Sequence, residues 1–212
     1  MQKLIIASNN KDKIAEISAM LKGRFEVLSM KDTGLDLDIE ETGTTFKDNA
    51  LIKAKACFEA SGLASLADDS GLCVDALGGE PGVYSAEYAV RHFKALGDNH
   101  LEKVGHYSDD MSNANVDLVL DKMKGKQNKK AKFVCAMAYF DGEKQVFGYG
   151  ETAGEILQQR QGVAGFGYDP IFFSHELNTS FGLALPEDKN SVSHRRRALE
   201  NFIESLIGRT AN

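Results

Sequence analysis

Short apolar runs alternate with amphipathic stretches along the whole chain. Residues 3–7 form an apolar run typical of a strand, and apolar side chains then recur at helical spacing through residues 14–21, up to Gly23. Residues 25–28 form a second apolar run that is typical of a strand. The start of the chain therefore predicts a strand, a loop, a helix and another strand, in that order.

A longer helix is predicted over residues 46–60. Thr45 stands three residues before Asp48, which is the spacing of a weak capping box, and good helix formers fill the segment. The next apolar segment, residues 63–67, continues directly into the Asp-Asp-Ser-Gly sequence of residues 68–71. We therefore expect two adjacent carboxylates at the end of a strand.

The second half of the chain continues the alternation. Residues 90–130 have a polar, helical pattern, whereas residues 133–140 are apolar and aromatic and predict a strand that pairs with residues 145–149. Apolar side chains at helical spacing over residues 199–207 predict the last helix. Because helices and strands alternate throughout, we expect an α/β fold with a mixed sheet flanked by helices.

Composition and charge narrow the class of protein. The 212 residues, 42% hydrophobic and 26% charged, have the composition of a folded globular protein. The net charge of −6 argues against binding of long nucleic acid, although a local basic pocket remains open. The apolar residues 4–7 are too few for a signal peptide or a membrane span, so we expect a cytosolic protein. Cys57, Cys73 and Cys135 are odd in number and widely spaced, which argues against a disulfide framework and a structural zinc site.

Two predicted helices begin with basic residues, where the partial positive charge of a helix N-terminus makes them unfavourable. Lys11 and Lys13 follow the Ser-Asn-Asn sequence of residues 8–10, and residues 195–197 are three arginines at the start of the last helix. Unpaired N–H groups, a hydroxyl and lysines at one place suit a phosphate chain. The alternative is that these side chains point into water and are offset by acidic neighbours.

Carboxylates occur in pairs at two places. Asp68 adjoins Asp69, and Glu40 adjoins Glu41 in another predicted loop. Paired carboxylates offer hard oxygen ligands, which suit Mg²⁺ bridging to phosphates better than zinc, and they also offer a base for water. The alternative for the first pair is an ordinary turn, because Asp, Ser and Gly are favoured turn residues.

Residues 165–170, with the sequence Gly-Phe-Gly-Tyr-Asp-Pro, place aromatic side chains between glycines. Glycine lets a flat ligand approach the backbone, and a ring face can stack on a base. The alternative is a tight turn with aromatic core residues. Neither a GxGxxG nor a Walker A sequence occurs, so the common nucleotide-binding folds find no support.

Taken in order, six motifs resemble the inosine/xanthosine triphosphate pyrophosphatase family, the non-standard purine NTP pyrophosphatases. They are Ser8 to Lys13, Glu40 to Gly43 with Phe46, Asn49 and Ala50, Ala67 to Gly71, Gly79 to Ser85, Gly165 to Pro170, and Lys189-Asn190 with Ser193-His194-Arg195. The resemblance covers about residues 3–207, and the joint order is far more specific than any one motif. The chain departs from the family pattern at Asn9, where relatives often have glycine, and over residues 90–107, which look longer than usual.

The resemblance implies a cytosolic homodimer whose single domain, residues 1–212, is two-lobed with a central cleft. It further implies that the chain hydrolyses the deaminated purine nucleoside triphosphates ITP, dITP and XTP to the monophosphate and pyrophosphate. Water would attack the α-phosphorus with the help of Mg²⁺, and the reaction would cleanse the nucleotide pool. No nucleic-acid polymer and no membrane is implied as a partner.

Residue roles also follow from the resemblance. Within the substrate-binding segment Ser8, Asn9, Asn10, Lys11, Asp12 and Lys13, the triphosphate would be held by Ser8, Asn10 and Lys13. Glu40 and Asp69 would bind the metal, with the choice between Glu40 and Glu41 left open. Asp69 would also act as the base, and Ser70 would touch the substrate. The base and sugar would be read by Phe166, Gly167, Tyr168, Asp169, Lys189, His194 and Arg195.

Two other functions stay open on the sequence. A house-cleaning pyrophosphatase that acts on modified pyrimidines would need the same phosphate loop and carboxylates, so base selectivity separates it from the first function. A nucleotide-binding sensor would keep the pocket without chemistry. The two carboxylate pairs argue against a sensor, because binding alone does not need them, and turnover decides the point.

Overall fold

The structure is a computed structural model that describes residues 1–97 and 111–210. Its seven strands are β1 Gln2–Ile6, β2 Phe25–Ser29, β3 Ser65–Val74, β4 Lys130–Phe140, β5 Gln145–Ile156, β6 Phe172–Ser174 and β7 Thr179–Ser180. They form one sheet in the order β2-β1-β3-β4-β5-β6-β7. Strand β1 runs parallel to β2 and β3, whereas β6 is antiparallel to β5 and β7. The predicted mixed sheet is confirmed.

The described part of the chain contains six α-helices. They are α1 Lys11–Leu21, α2 Phe46–Ser61, α3 Tyr88–Ala95, α4 Met111–Met123, α5 Pro186–Ser191 and α6 His194–Thr210. Helix α2 begins as its capping pair predicts, because the Thr45 hydroxyl accepts a hydrogen bond from the Asp48 N–H at 3.1 Å. It ends at Gly62, whose φ of 68° is the left-handed conformation that glycine adopts without strain.

Strand β3 differs most from the sequence prediction. Its predicted end at residue 67 is wrong, because the strand runs on to Val74 and takes residues 68–71 into the sheet. Leu72 and Val74 are fully buried, so burial of apolar side chains extends a segment whose composition favours a turn. Strand β1 pairs only with the start of β3, ending with Ile6 opposite Leu66, so both aspartates lie beyond the end of β1.

The described residues divide into two compact units, each with its own apolar core. The first unit comprises residues 1–69, 135–150 and the described chain from 195 onward, and the second comprises the described parts of 70–134 and 151–194. The boundary falls within β3, β4 and β5. Core residues of the first unit include Leu4, Ile17, Leu66, Met137 and Phe202, and those of the second include Leu72, Val119, Phe133, Ile171 and Phe172. The predicted cleft stays a prediction.

Other predictions about the chain can be compared with this fold. The thiols of Cys57 and Cys135 are free and buried and that of Cys73 is free and half-buried, as expected. No helix in residues 1–97 and 111–210 is long and apolar enough to cross a membrane. Most of the segment 90–107, which looks longer than in the resembled family, lies outside the described residues.

Candidate active site

The loop from β1 to α1 is arranged around the N-terminus of the helix. The Asn10 side-chain oxygen accepts a hydrogen bond from the Lys13 N–H at 3.1 Å and so caps α1, while the Ser8 hydroxyl accepts one from the Asn10 N–H at 3.2 Å. Ser8 is half-buried and Asn9 is exposed. The side chains of Lys11 and Asp12 are outside the described part of the structure. The loop therefore brings a hydroxyl, amides and helical N–H groups together, as the sequence predicts.

Lys13 leads into a group of buried and half-buried side chains, which we call the Asp68 cluster: Lys13, Glu16, Asp68, Cys135 and Arg195. Lys13 Nζ lies 2.9 Å from Asp68 Oδ2, and Arg195 Nε lies 3.5 Å from the same oxygen. Arg195 Nη1 also donates to Glu16 Oε2 at 2.8 Å, and the Cys135 Sγ is 4.0 Å from Asp68 Oδ2. The Asp68 side chain is 1% exposed, so two cations face one carboxylate with little water.

The protonation of Asp68 follows from these neighbours. Burial by itself raises the pKa of a carboxyl group, but the positive charges of Lys13, Arg195 and Lys53 outweigh it and hold the pKa of Asp68 far below its ordinary value. Burial likewise opposes the charge of Arg195, and Asp68, Cys135 and Glu16 together outweigh it and raise the Arg195 pKa. Asp68 is therefore ionised and structurally committed to its cations.

The first two of the three arginines at the start of α6 differ in their surroundings. Arg195 is buried in the Asp68 cluster, so the alternative that it simply points into water is wrong for this residue. For Arg196 that alternative is right, because it is exposed and pairs with Glu200 one helical turn later at 2.8 Å.

The second aspartate belongs to a different group, the Asp69 cluster: Glu41, Asn49, Lys53 and Asp69. Asn49 Nδ2 donates to Asp69 Oδ2 at 3.1 Å, and Lys53 Nζ lies 3.6 Å from Asp69 Oδ1 and 2.9 Å from Glu41 Oε2. The Asn49 side-chain oxygen accepts a hydrogen bond from the Gly43 N–H at 2.8 Å, which ties the loop after Glu41 to α2. A Cβ on Gly43 would lie 2.5 Å from that oxygen, so only glycine fits there.

The surroundings of Asp69 shift its pKa in the opposite direction to that of Asp68. Burial raises the pKa of Asp69, Lys53 opposes the rise, and the negative charge of Glu41 adds to it, so that the pKa stays above its ordinary value. Burial also lowers the pKa of Lys53, but Asp69 and Glu41 outweigh it and raise the pKa. Lys53 is thus a charged ammonium group held between two carboxylates.

The strand explains why neighbouring aspartates differ so much. Successive side chains of a β-strand point to opposite faces of the sheet. Leu66, like Asp68, lies on the face that packs with α1 and α6, whereas Ala67, like Asp69, lies on the face that packs with α2. One dipeptide therefore places one carboxylate in each of two environments.

The carboxylates of the Asp69 cluster fit Mg²⁺ in a restricted way. Within residues 1–97 and 111–210 no group of three or more His, Cys, Asp or Glu side chains could hold a metal by itself. Mg²⁺ is commonly held by one or two carboxylates together with substrate phosphates, and Glu41 and Asp69 supply two. Both Glu40 and Glu41 are exposed, but among the described residues it is Glu41 that pairs with Lys53, which also contacts Asp69. The predicted metal ligand Glu40 therefore lacks the support that its neighbour has.

In the second unit, residues 165–170 form a compact turn that we call the aromatic loop. The Asp169 carboxylate accepts hydrogen bonds from the Phe166 N–H, at 2.7 Å, and from Lys189 Nζ. Lys189 Nζ also lies 4.6 Å from the centre of the Phe166 ring, which is 43% exposed. Gly165 has a φ of +76°, and a Cβ there would lie 2.0 Å from the Asp169 carboxylate. The loop thus holds an exposed ring and a lysine together.

The remaining predicted site residues lie in different surroundings. Tyr168 is buried, and its hydroxyl donates to the Ser85 carbonyl at 2.8 Å. His194 is buried with its ring stacked on Phe133, at a centroid distance of 4.9 Å. Ser70 is half-buried in β3, and Gly167 has a φ of +60°. Lys189, Phe166 and Asp169 are the predicted base-reading residues that the structure brings into direct contact with one another.

Sequence reasoning assigned no role to Lys53, Glu16 or Cys135 and quoted Asn49 only as part of a motif. One signal could have found Lys53. It follows Asn49 by four residues on the same face of α2 as the buried Ala50 and Ala54, so a charged side chain interrupts an apolar stripe. Glu16 and Cys135 carry no comparable local signal, because their partners are far away in the sequence.

The chain is similar to known proteins in sequence and in fold. The model of the Ham1 family matches residues 4–205. The chain is 41% identical over 208 residues to the dITP/XTP pyrophosphatase of Leptospira interrogans, and the match covers 97% of each. The solved structure of the Staphylococcus aureus Ham1 protein matches with a TM-score of 0.81 and 32% identity, over 100% of both chains. A HAM1 protein from Coxiella burnetii matches with a TM-score of 0.83 and 31% identity, over 98% of this chain and 100% of that one.

Proposed function

Because the chain belongs to the Ham1 family, we propose that it is a nucleoside triphosphate pyrophosphatase that converts deaminated purine triphosphates to the monophosphate and pyrophosphate. The family resemblance predicted from the six motifs is confirmed, and the names of the relatives support this substrate class. The observation that carries the proposal is the pair Asp68 and Asp69: Asp68 holds Lys13 at 2.9 Å beside the loop assigned to phosphate, and Asn49 and Lys53 hold Asp69 from α2. A positioned cation and a fixed carboxylate are what attack of water on a phosphate requires.

The triphosphate is assigned to the first unit. Lys13 and the capped N-terminus of α1 supply positive charge and N–H donors, and phosphates bind at such helix ends. Asp68 holds the Lys13 ammonium group at 2.9 Å, so the lysine is positioned before substrate arrives. Positioned cations are what phosphoryl transfer chiefly requires, because the transition state spreads negative charge over the phosphate oxygens.

Asp69 is assigned as the general base. Its raised pKa brings the carboxylate closer to neutral pH and so makes it a stronger acceptor for a proton from water. Asn49 and Lys53 fix its two oxygens from α2. As the water oxygen attacks the α-phosphorus, its proton passes to Asp69 and the bond to the leaving pyrophosphate breaks.

Mg²⁺ is the cofactor that this site would take, with Asp69 and a carboxylate of the Glu40-Glu41 pair as its ligands. When bound, the ion would neutralise charge on the phosphates and on the leaving pyrophosphate. The contact of Lys53 with both Glu41 and Asp69 supports Glu41 as the second ligand, because these two carboxylates already share one cation.

The purine base is assigned to the aromatic loop of the second unit. The exposed Phe166 ring offers a stacking face to any purine, so it supplies affinity without selectivity. Lys189 is a donor that suits the 6-oxygen of hypoxanthine and xanthine, and the 6-amino group of adenine cannot accept its hydrogen bond. A site built around a donor rejects the analogue that leaves it unpaired. We expect kcat/KM for ITP and XTP to exceed that for ATP by at least ~10²-fold.

One experiment separates the three functions considered. Phosphate and pyrophosphate release are measured for ITP, dITP, XTP, ATP, GTP and modified pyrimidine triphosphates, with Mg²⁺ and with a chelator. The proposal predicts Mg²⁺-dependent release of pyrophosphate from the deaminated purines. Preference for a modified pyrimidine favours the second enzyme, binding without turnover favours a sensor, and stepwise orthophosphate release contradicts all pyrophosphatase functions.

The expected homodimer and the cytosolic location belong to the same proposal, since the family resemblance implies both. Light scattering on the purified chain tests the first. A mass of about twice 23.2 kDa is the expected result, and a single-chain mass in the active enzyme contradicts it.

A further inference from the structure

Phe166 and Tyr168, which are two positions apart in the aromatic loop, differ strongly in solvent exposure. Phe166 is 43% exposed, whereas Tyr168 is 5% exposed and belongs to the apolar core of the second unit. The Tyr168 hydroxyl donates to the Ser85 carbonyl oxygen at 2.8 Å. Burial raises the pKa of Tyr168 well above its ordinary value, so the hydroxyl stays protonated and remains a donor. Tyr168 therefore holds the loop from inside the core.

The Ser85 carbonyl has a second donor. Asn115 of α4 donates through Nδ2 to the carbonyls of Ser85, at 3.3 Å, and Ala86, at 2.8 Å, and accepts from the Ala89 N–H at 2.8 Å. Asn115 is 4% exposed. One buried amide thus uses both of its amino hydrogens and its oxygen to fix the segment that carries the acceptor for Tyr168.

The Ser85 side chain is fixed as well. Its hydroxyl accepts a hydrogen bond from the Leu72 N–H of β3 at 2.9 Å and donates to the Gly82 carbonyl at 2.6 Å. We call this set of contacts the Ser85 junction: Leu72, Gly82, Ser85, Asn115 and Tyr168. It joins a strand, a helix and two loops of the second unit through buried hydrogen bonds, and buried polar networks of this kind are rigid when every member is satisfied.

The junction is connected to the groups assigned to the base. Tyr168 directly precedes Asp169, whose carboxylate binds both the Phe166 N–H and Lys189. The Asp169 carbonyl accepts from the Gly182 N–H at 3.0 Å, so the loop is also held on its other side. A shift of Tyr168 would be passed to Asp169 and from there to the exposed ring and the lysine.

We propose that the Ser85 junction positions the aromatic loop for base recognition, with Tyr168 and Asn115 as positioning residues and with no contact between Tyr168 and the substrate. The inference rests on the proposed function. It revises the sequence prediction that Tyr168 reads the base directly. Without the junction, the loop populates the competent conformation less, and the apparent affinity for substrate falls by that fraction.

The test compares two tyrosine-to-phenylalanine variants. Tyr168→Phe removes only the hydroxyl that binds Ser85. The matched control Tyr139→Phe removes a buried hydroxyl of the first unit, which contacts Gln2 and Asp141 at 3.2 and 3.1 Å. Tyr168→Phe is expected to raise KM for ITP about threefold to tenfold, the range of one hydrogen bond, with kcat changed by less than about twofold. The ratio of kcat/KM for ITP over ATP falls by a similar factor, and Tyr139→Phe changes neither.

Asn115→Asp extends the test to the remote member of the junction. The substitution keeps the volume but replaces the Nδ2 donor by an oxygen that faces two carbonyls, so KM is expected to rise by more than in Tyr168→Phe. In the double variant the two effects on KM combine to less than their product, because both act through one carbonyl. If Asn115→Asp does not fold, Tyr168→Phe decides alone.

The outcomes separate the inference from the function it rests on. A wild-type chain that does not release pyrophosphate from ITP or XTP overturns both. An active, selective wild type whose Tyr168→Phe variant keeps the KM and the ITP preference of Tyr139→Phe overturns the inference alone, and Tyr168 is then an ordinary core residue.

Discussion

Asp68 and Asp69 are consecutive residues of the same type and of similar burial, yet their surroundings have opposite effects. Two cations lie within 3.5 Å of Asp68 Oδ2. Asp69 has one cation at 3.6 Å, and Glu41 shares it. The first carboxylate is therefore held ionised as part of the structure, whereas the second keeps a raised pKa and the capacity to take a proton. The number and sign of neighbouring charges, rather than burial, separate a structural carboxylate from a reactive one.

The structural role of Asp68 is tested by removing its charge. Asp68→Asn leaves the buried Arg195 and the half-buried Lys13 without their shared anion. Loss of one member of a buried ion pair costs about 3–5 kcal/mol, so the free energy of unfolding is expected to fall by that amount. Urea denaturation measures it. The exposed Asp36→Asn is the matched control, and equal stability of the two variants would show that the Asp68 cluster contributes nothing to folding.

Asp69→Asn is expected to act on turnover instead. Loss of a general base lowers kcat by at least ~10²-fold.

The free energy of unfolding is not expected to fall in Asp69→Asn, in contrast to Asp68→Asn. Because the pKa of Asp69 is raised in the folded chain, its ionised form disfavours folding, and this cost grows as pH rises above the unfolded value of about 4. At neutral pH the variant is expected to be as stable as the wild type or more stable, measured in urea with a chelator present.

Two results would contradict this assignment. A well-folded Asp69→Asn variant with wild-type kcat moves the base to another group. A loss of stability as large as that of Asp68→Asn would mean that both aspartates are structural and that the difference between the clusters is not functional.

Base selectivity is tested in the second unit, where Lys189 is paired with one carboxylate, Asp169, and lies over an exposed ring. Lys189→Met keeps an unbranched side chain and removes the donor. The ratio of kcat/KM for ITP over ATP is expected to fall by about tenfold or more, chiefly because kcat/KM for ITP falls. Steady-state kinetics with both nucleotides measures the ratio. A ratio equal to that of the wild type would assign base selectivity to another group.

The smallest expected effect concerns the adjacent arginines Arg195 and Arg196, the cationic counterpart of the two aspartates. Arg196→Ala removes an exposed pair with Glu200, which is worth at most ~0.5 kcal/mol. Arg195→Ala instead removes the buried cation that Glu16 and Asp68 share, leaving Asp68 with Lys13 alone, and is expected to cost several times as much. Thermal melting of both variants at equal salt compares them. Equal shifts would remove the distinction between the buried and the solvated helix start.

Local patterns in the sequence determined much of what surrounds these groups. The strand, loop and helix at the start of the chain, the Thr45 cap of α2 and the turn-forming glycines follow from rules that act over a few residues. The chemical types at the site were also visible, because Lys13, Asp69 and Lys189 stand in motifs with a recognisable order. Short-range spacing is sufficient for such features, since each of them depends on neighbours within one or two helical turns.

The partner of each charged group depends on the tertiary structure. Asp68 and Asp69 became strand residues because β3 is buried beyond them, against the turn preference of their sequence. Arg195 reached Asp68, Lys53 came between Glu41 and Asp69, and Tyr168 reached Ser85 across long separations in the chain. Coulomb interactions and buried hydrogen bonds depend on distances of a few ångströms, and a distance between residues far apart in sequence exists only once the sheet has brought its strands together.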